Sequence, residues 1–117
     1  MDELVDRLVA ETGIDREHAA KAVAIILAFL IKEGPADKVD TLLAGMPGAR
    51  EAAQNAGGGL FGMGGLMGAG AQLMAAGLSM GQVQQVTRVT LAYAREKAGE
   101  DAVGEIVGAI PGLSQFV

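Results

Sequence analysis

Few side chains in this sequence are suited to chemistry. His18 is the single histidine, and it follows Asp15 and Glu17. An imidazole near carboxylates can relay a proton or bind a metal. At a helix start, however, residues 15, 17 and 18 point around the axis, so the spacing predicts a solvated imidazole and no metal site. Asp37 and Asp40 stand at i and i+3, and Asp101 and Glu105 at i and i+4. Acids in a first helical turn serve the cap and the dipole, so paired acid-base work is not expected of them. Ser79 and Ser114 have no histidine placed by sequence to activate them. The absence of cysteine removes thiolate nucleophiles, disulfides and thiolate zinc sites together. The glycine tract at residues 57–70 has no Lys-Ser or Lys-Thr after it and no strand before it, so it is not a phosphate loop. The expectation is a non-enzyme with no cofactor and no metal.

The elements that hold these residues all read as helices. Leu4, Val5, Leu8 and Val9 share one face of a segment from Asp2 to Thr12, which Gly13 stops. Asp15 can cap a second helix running to Glu33, where Gly34 and Pro35 end it and restart the chain. Its inner run, Ala22 to Ile31, is ten apolar residues, about half the length of a bilayer crossing, and predicts a buried central helix. Ala36 to Ala44 reads as a third helix with Val39, Leu42 and Leu43 inward, and Pro47 opens a fourth that ends near Gly57. Further on, a helix from about Gly68 to Ala76 is stopped by Gly77. Ser79 and Gln82 form a capping box for Met80 to Lys97, and Asp101 to Ala109 makes the last helix. Residues 13–53 and 77–117 can be written one above the other without a gap, at a constant offset of 64. Gly13-Ile14 falls on Gly77-Leu78, Phe29 on Tyr93, Val39 on Val103 and Pro47-Gly48 on Pro111-Gly112. The fold expected is therefore an all-α, compact bundle over residues 1–117, built from two pseudo-symmetric repeats, about 1–54 and 71–117, around a connector at about 55–70.

That connector is the least ordinary part of the chain. No charged residue occurs from Ala52 to Thr87, and eight of the fourteen residues from Gly57 to Gly70 are glycine. Each glycine costs about 1 kcal/mol relative to alanine inside a helix, so roughly 8 kcal/mol would oppose a fully helical tract. Leu60, Phe61, Met63, Leu66 and Met67 are interleaved with these glycines and call for a surface to lie on. Three surfaces are open: the domain's own core, a protein partner or second copy of the chain, and a lipid or small apolar ligand. Methionine adapts to irregular partners, which suits the first two. The third lacks electrostatic support, because no Lys or Arg lies between Arg50 and Arg88. A formal charge of -5 with a pI near 4.7 argues against nucleic acid as a partner. The acidic, amphipathic start from Met1 to Asp6 does not resemble a secretory signal, so a cytoplasmic location is expected.

Two families are resembled. Glu3 to Gly34, with Leu4-Val5, the Ala10-Glu11-Thr12-Gly13-Ile14 turn and the Lys32-Glu33-Gly34 end, looks like the opening helical hairpin of the HU and IHF nucleoid proteins, without their basic DNA-binding arms. Over nearly its whole length the chain resembles a bacterial family of unknown function labelled VcgC/VcgE-like. Gly13-Ile14, Leu43 through Pro47-Gly48, the apolar glycine-rich middle, Gly77-Leu78 and Tyr93 carry that likeness. The resemblance implies a helical fold and no particular activity. The functional expectation is a protein-interaction or self-association module, with homodimerisation its simplest form. Apolar-ligand or lipid contact is the alternative, and nucleoid association through the hairpin a third.

Overall fold

The structure is a computed structural model that describes residues 2–45, 48, 51 and 65–110. These form six helices in the order α1 (Asp2–Thr12), α2 (Arg16–Glu33), α3 (Ala36–Ala44), α4 (Gly65–Ala75), α5 (Met80–Ala98) and α6 (Glu100–Ala109). No strand occurs among the described residues, so the fold is all-α. The predicted fourth helix, from Pro47 to near Gly57, lies outside the described residues apart from single positions.

Local chemistry sets most of the boundaries. Thr12 donates its hydroxyl to Leu8 O at 2.6 Å, Gly13 N–H reaches Val9 O at 3.1 Å, and Gly13 turns the chain at φ 77°. Gly34 N–H closes α2 on Leu30 O at 2.8 Å, and Pro35 accepts the first bond of α3 from Val39 N–H at 2.9 Å. The end of α4 is a Schellman motif: Leu78 N–H bonds Leu73 O at 3.3 Å and Gly77 N–H bonds Met74 O at 3.0 Å. Leu73 and Leu78, the pair that such a motif brings together, are both buried. Ser79 then caps α5 through the predicted box, its hydroxyl accepting from Gln82 N–H while Ser79 N–H donates to Gln82 Oε1 at 2.9 Å.

Apart from one-residue shifts at the ends of α4 and α5 and at the start of α6, one boundary and one cap differ from the sequence reading. Helix α4 starts at Gly65 rather than near Gly68. It lies against both α2 and α5, and tertiary packing of that kind supports glycines that propensity alone would leave out of a helix. Asp15 occupies the N-cap of α2, yet its side chain makes no capping bond.

Helix α2 is the centre of the molecule, with nine consecutive residues, 22–30, buried. Burial on every side of a helix requires neighbours on every side. They come from both ends of the chain: α2 touches α1, α3, α4 and α5. Helix α1 also lies on α5, and α3 lies on α5 and α6. The first three helices are therefore packed on the last three, with a radius of gyration of 12.5 Å. Polar contacts line the same seam. Arg7 on α1 pairs with Glu96 on α5, Lys97 Nζ on α5 stands 3.9 Å from Glu3 on α1, and Lys38 Nζ on α3 stands 2.8 Å from Glu105 on α6. The guanidinium of Arg7 and the ammonium of Lys97 sit 5.2 and 5.4 Å from the centre of the buried Tyr93 ring. The hydrogen bond from Arg7 holds the Glu96 carboxyl below the usual carboxylate range. The one to Glu105 raises the Lys38 ammonium above its usual range.

Candidate functional site

Two places on the surface combine a shape with a chemical character. The first is an open depression of about 370 Å³ lined by Gly13, Ile14, Asp15, His18, Gly77, Leu78 and Gln82. It forms where the turn before α2 meets the turn before α5. His18 was expected to be solvated and to diverge from Asp15. Its side chain is 45% exposed, as expected, but it does not diverge: its Nδ1 contacts the carboxylate of Asp15, the N-cap residue three positions back. This contact takes the carboxylate that would otherwise cap α2. The other ring nitrogen faces the second turn: a Cβ placed on Gly77 would stand 3.2 Å from His18 Nε2. Gly77 holds φ 106°, so glycine is required there by conformation as well as by the ring above it.

A carboxylate-oriented imidazole can accept or shuttle a proton. Nucleophilic chemistry needs a hydroxyl or thiol within its reach. The nearest hydroxyl in sequence to Gly77, that of Ser79, accepts the Gln82 N–H as a helix cap. No group of three His, Asp or Glu side chains suited to a metal ion occurs among the described residues.

The second place is the corner between the end of α4 and the start of α5. Met74 is 47% exposed and Met80 is 58% exposed, on either side of the Gly77 turn. Ala71, Ala75, Gly77, Ser79, Gly81, Gln84 and Gln85 are exposed in the same stretch of chain, and none of the described residues 65–87 carries a charge. The five residues expected to make the interaction surface fall mostly elsewhere. Leu60, Phe61 and Met63 lie outside the described residues, and Leu66 and Met67 belong to the first turn of α4, where only the backbone is described. Met74 and Met80 were not among them. Their shared signal was the uncharged stretch that contains both.

No helix among the described residues is long and apolar enough to cross a membrane. Comparison with protein-family models, with curated proteins and with solved structures gives no match.

Proposed function

We propose that this chain is a non-enzymatic interaction module, acting in the cytoplasm, that binds a second copy of itself through the uncharged corner of Met74 and Met80. Leu60, Phe61, Met63, Leu66 and Met67, named from the sequence, are proposed as further contacts to the second copy. The observation that carries this reading is the exposure of two methionines, at 47% and 58%, within a stretch free of charge in a chain of net charge -5. Two acidic copies repel, and they repel least where neither presents a charge. Methionine is unbranched and polarizable, so it fits an apolar partner surface without demanding one shape. Twofold association is the simplest closed form, because each copy offers the same patch.

We also infer that the chain is one helical unit present twice. The long helices start at Arg16 and Met80 and the short ones at Ala36 and Glu100, each pair 64 residues apart. Ala22 and Val86, Phe29 and Tyr93, Val39 and Val103, and Leu42 and Ile106 keep the same offset and are all buried. Helix α1 lies on α5 and α4 lies on α2, which is the arrangement a pseudo-twofold axis would generate.

The self-association is tested by size-exclusion chromatography with light scattering over a wide concentration range. A concentration-dependent dimer is expected, and Met74→Glu with Met80→Glu should abolish it while leaving helicity unchanged. A wild-type chain that stays monomeric throughout would overturn the proposal.

A further inference from the structure

Met74 and Met80 are two of the three large apolar side chains exposed among the described residues, the third being Ile31. They differ from Ile31 in reactivity, because a thioether sulfur offers a lone pair to an oxidant. The chain has no cysteine and no tryptophan, so no thiol or indole competes with its methionines. Neither sulfur holds the fold. Met74 serves the end of α4 through its backbone, whose carbonyl accepts Gly77 N–H at 3.0 Å, and Met80 opens α5 behind the Ser79–Gln82 capping box. The core takes the neighbouring Leu73 and Leu78 and neither methionine. An oxygen added to either sulfur therefore changes the surface and leaves the packed interior as it is.

From these observations we propose that Met74 and Met80 form an oxidation switch: a peroxide converts both thioethers to sulfoxides, and the oxidised chain no longer binds its second copy. The proposal rests on the corner being the self-association surface argued above. The sulfur lone pair attacks one peroxide oxygen, the O–O bond breaks and an S–O bond forms. Sulfur gives up an electron pair, and hydrogen peroxide leaves as water. A thiol pair closing to a disulfide reverses the step, with the oxygen again leaving as water, in the reaction that methionine sulfoxide reductases catalyse. The effect on binding follows from polarity. Methionine suits an apolar contact, whereas a sulfoxide oxygen is a hydrogen-bond acceptor that must give up water to enter one. Residues 65–87 carry no charge, so this stretch brings no cation to receive that oxygen from either copy. Twofold contact places Met74 and Met80 of both copies in the interface, and the dimer Kd is expected to rise at least about tenfold on oxidation. The dimer also covers the sulfurs, so the oxidant acts on the dissociated chain and draws the equilibrium toward monomer.

The test uses the wild-type chain. It is treated with hydrogen peroxide at a dilution where it is monomeric, stopped with catalase at partial conversion, concentrated, and separated by size beside an untreated sample. Peptide mapping by mass spectrometry then reads the sulfoxide at each position in the monomer and dimer fractions. The expected result is sulfoxide at both positions, enriched at least about tenfold in the monomer fraction, with the helical circular dichroism of the untreated chain. Incubation with dithiothreitol and the reductases for both sulfur epimers should restore the dimer. An untreated chain that never dimerises overturns the corner reading and this proposal with it. An untreated chain that dimerises, beside a treated one whose sulfoxides at 74 and 80 are spread evenly between the fractions, overturns the oxidation switch alone, as does the absence of sulfoxide at either position.

Discussion

Thr90 offers a sharp test of how the core is built. It lies on α5 at 1% exposure, and its Oγ1 has no hydrogen-bond partner. A buried hydroxyl that loses water without gaining a partner costs about 1 to 3 kcal/mol. Thr90→Val keeps the β-branched shape, and with it the χ1 restriction in a helix, while replacing the hydroxyl by a methyl group. The position 64 residues earlier is Ile26, itself buried at 4%, so an aliphatic side chain suits this register. A gain of about 1 kcal/mol or more is expected, which corresponds to a rise in Tm of about 3 to 5 °C for a chain of this size. Thr87 serves as the control. Its hydroxyl donates to Val83 O at 2.8 Å, so Thr87→Val removes a bond that was made and should change stability by less than about 1 kcal/mol. Urea denaturation followed by circular dichroism gives both values, with unchanged m confirming that the unfolded state is comparable. A Thr90→Val chain that is no more stable than wild type, or less so, would refute the reasoning.

Other consequences can be checked on the same scale. Gly77→Ala combines a positive φ with a Cβ 3.2 Å from His18 Nε2, and should cost about 1 to 3 kcal/mol; Gly13→Ala, with φ 77° and no atom within 4 Å, should cost less, about 1 to 2 kcal/mol. Thermal melts of the two variants, and of Gly77→Ala combined with His18→Ala, separate the conformational cost from the steric one. Gly34→Ala would place a Cβ 2.7 Å from Leu30 O and 2.9 Å from Val39 Cγ2, so the turn between α2 and α3 must shift and a loss of about 1 to 3 kcal/mol is expected. The Arg7–Glu96 pair predicts a pH dependence. Because the Glu96 carboxyl is held low in the folded state, its contribution is fully present above its unfolded pKa of about 4.3 and fades as pH falls through the folded value. Urea midpoints measured between pH 6 and pH 3 should fall more for wild type than for Glu96→Gln; parallel curves would count against the pair.

Helix punctuation made much of the fold legible. Gly13, Gly34 with Pro35, and Gly77 mark chain reversals by properties that belong to one residue, and α1 and α3 have the bounds read from them. The Ser79–Gln82 box could be read because both of its bonds are local. Asp15 could not be read the same way, since two local partners compete for its carboxylate and His18 holds it. The start of α4 escaped because glycines have no helical preference of their own, and what holds them is contact with α2 and α5. The surface was hardest. Leu73 and Met74 are adjacent and both apolar, and a stretch without charges offers no polar face to show which of them points outward. That Leu73 is 2% and Met74 47% exposed follows from where α2 and α5 lie, which is tertiary information. The placement of α1 on α5 and of α4 on α2 is of the same kind, because periodicity gives a helix an inner face but does not name its partner.

The central claim, that copies of this chain meet at the Met74 and Met80 corner, is tested most directly by a photo-crosslinking residue placed at position 80. Irradiating mixed, natively purified ¹⁴N and ¹⁵N protein and mapping the peptides should give mixed-isotope links from position 80 to residues 71–85 of another copy. Links confined to single-isotope peptides, or none at all at concentrations where a dimer is seen, would contradict the account.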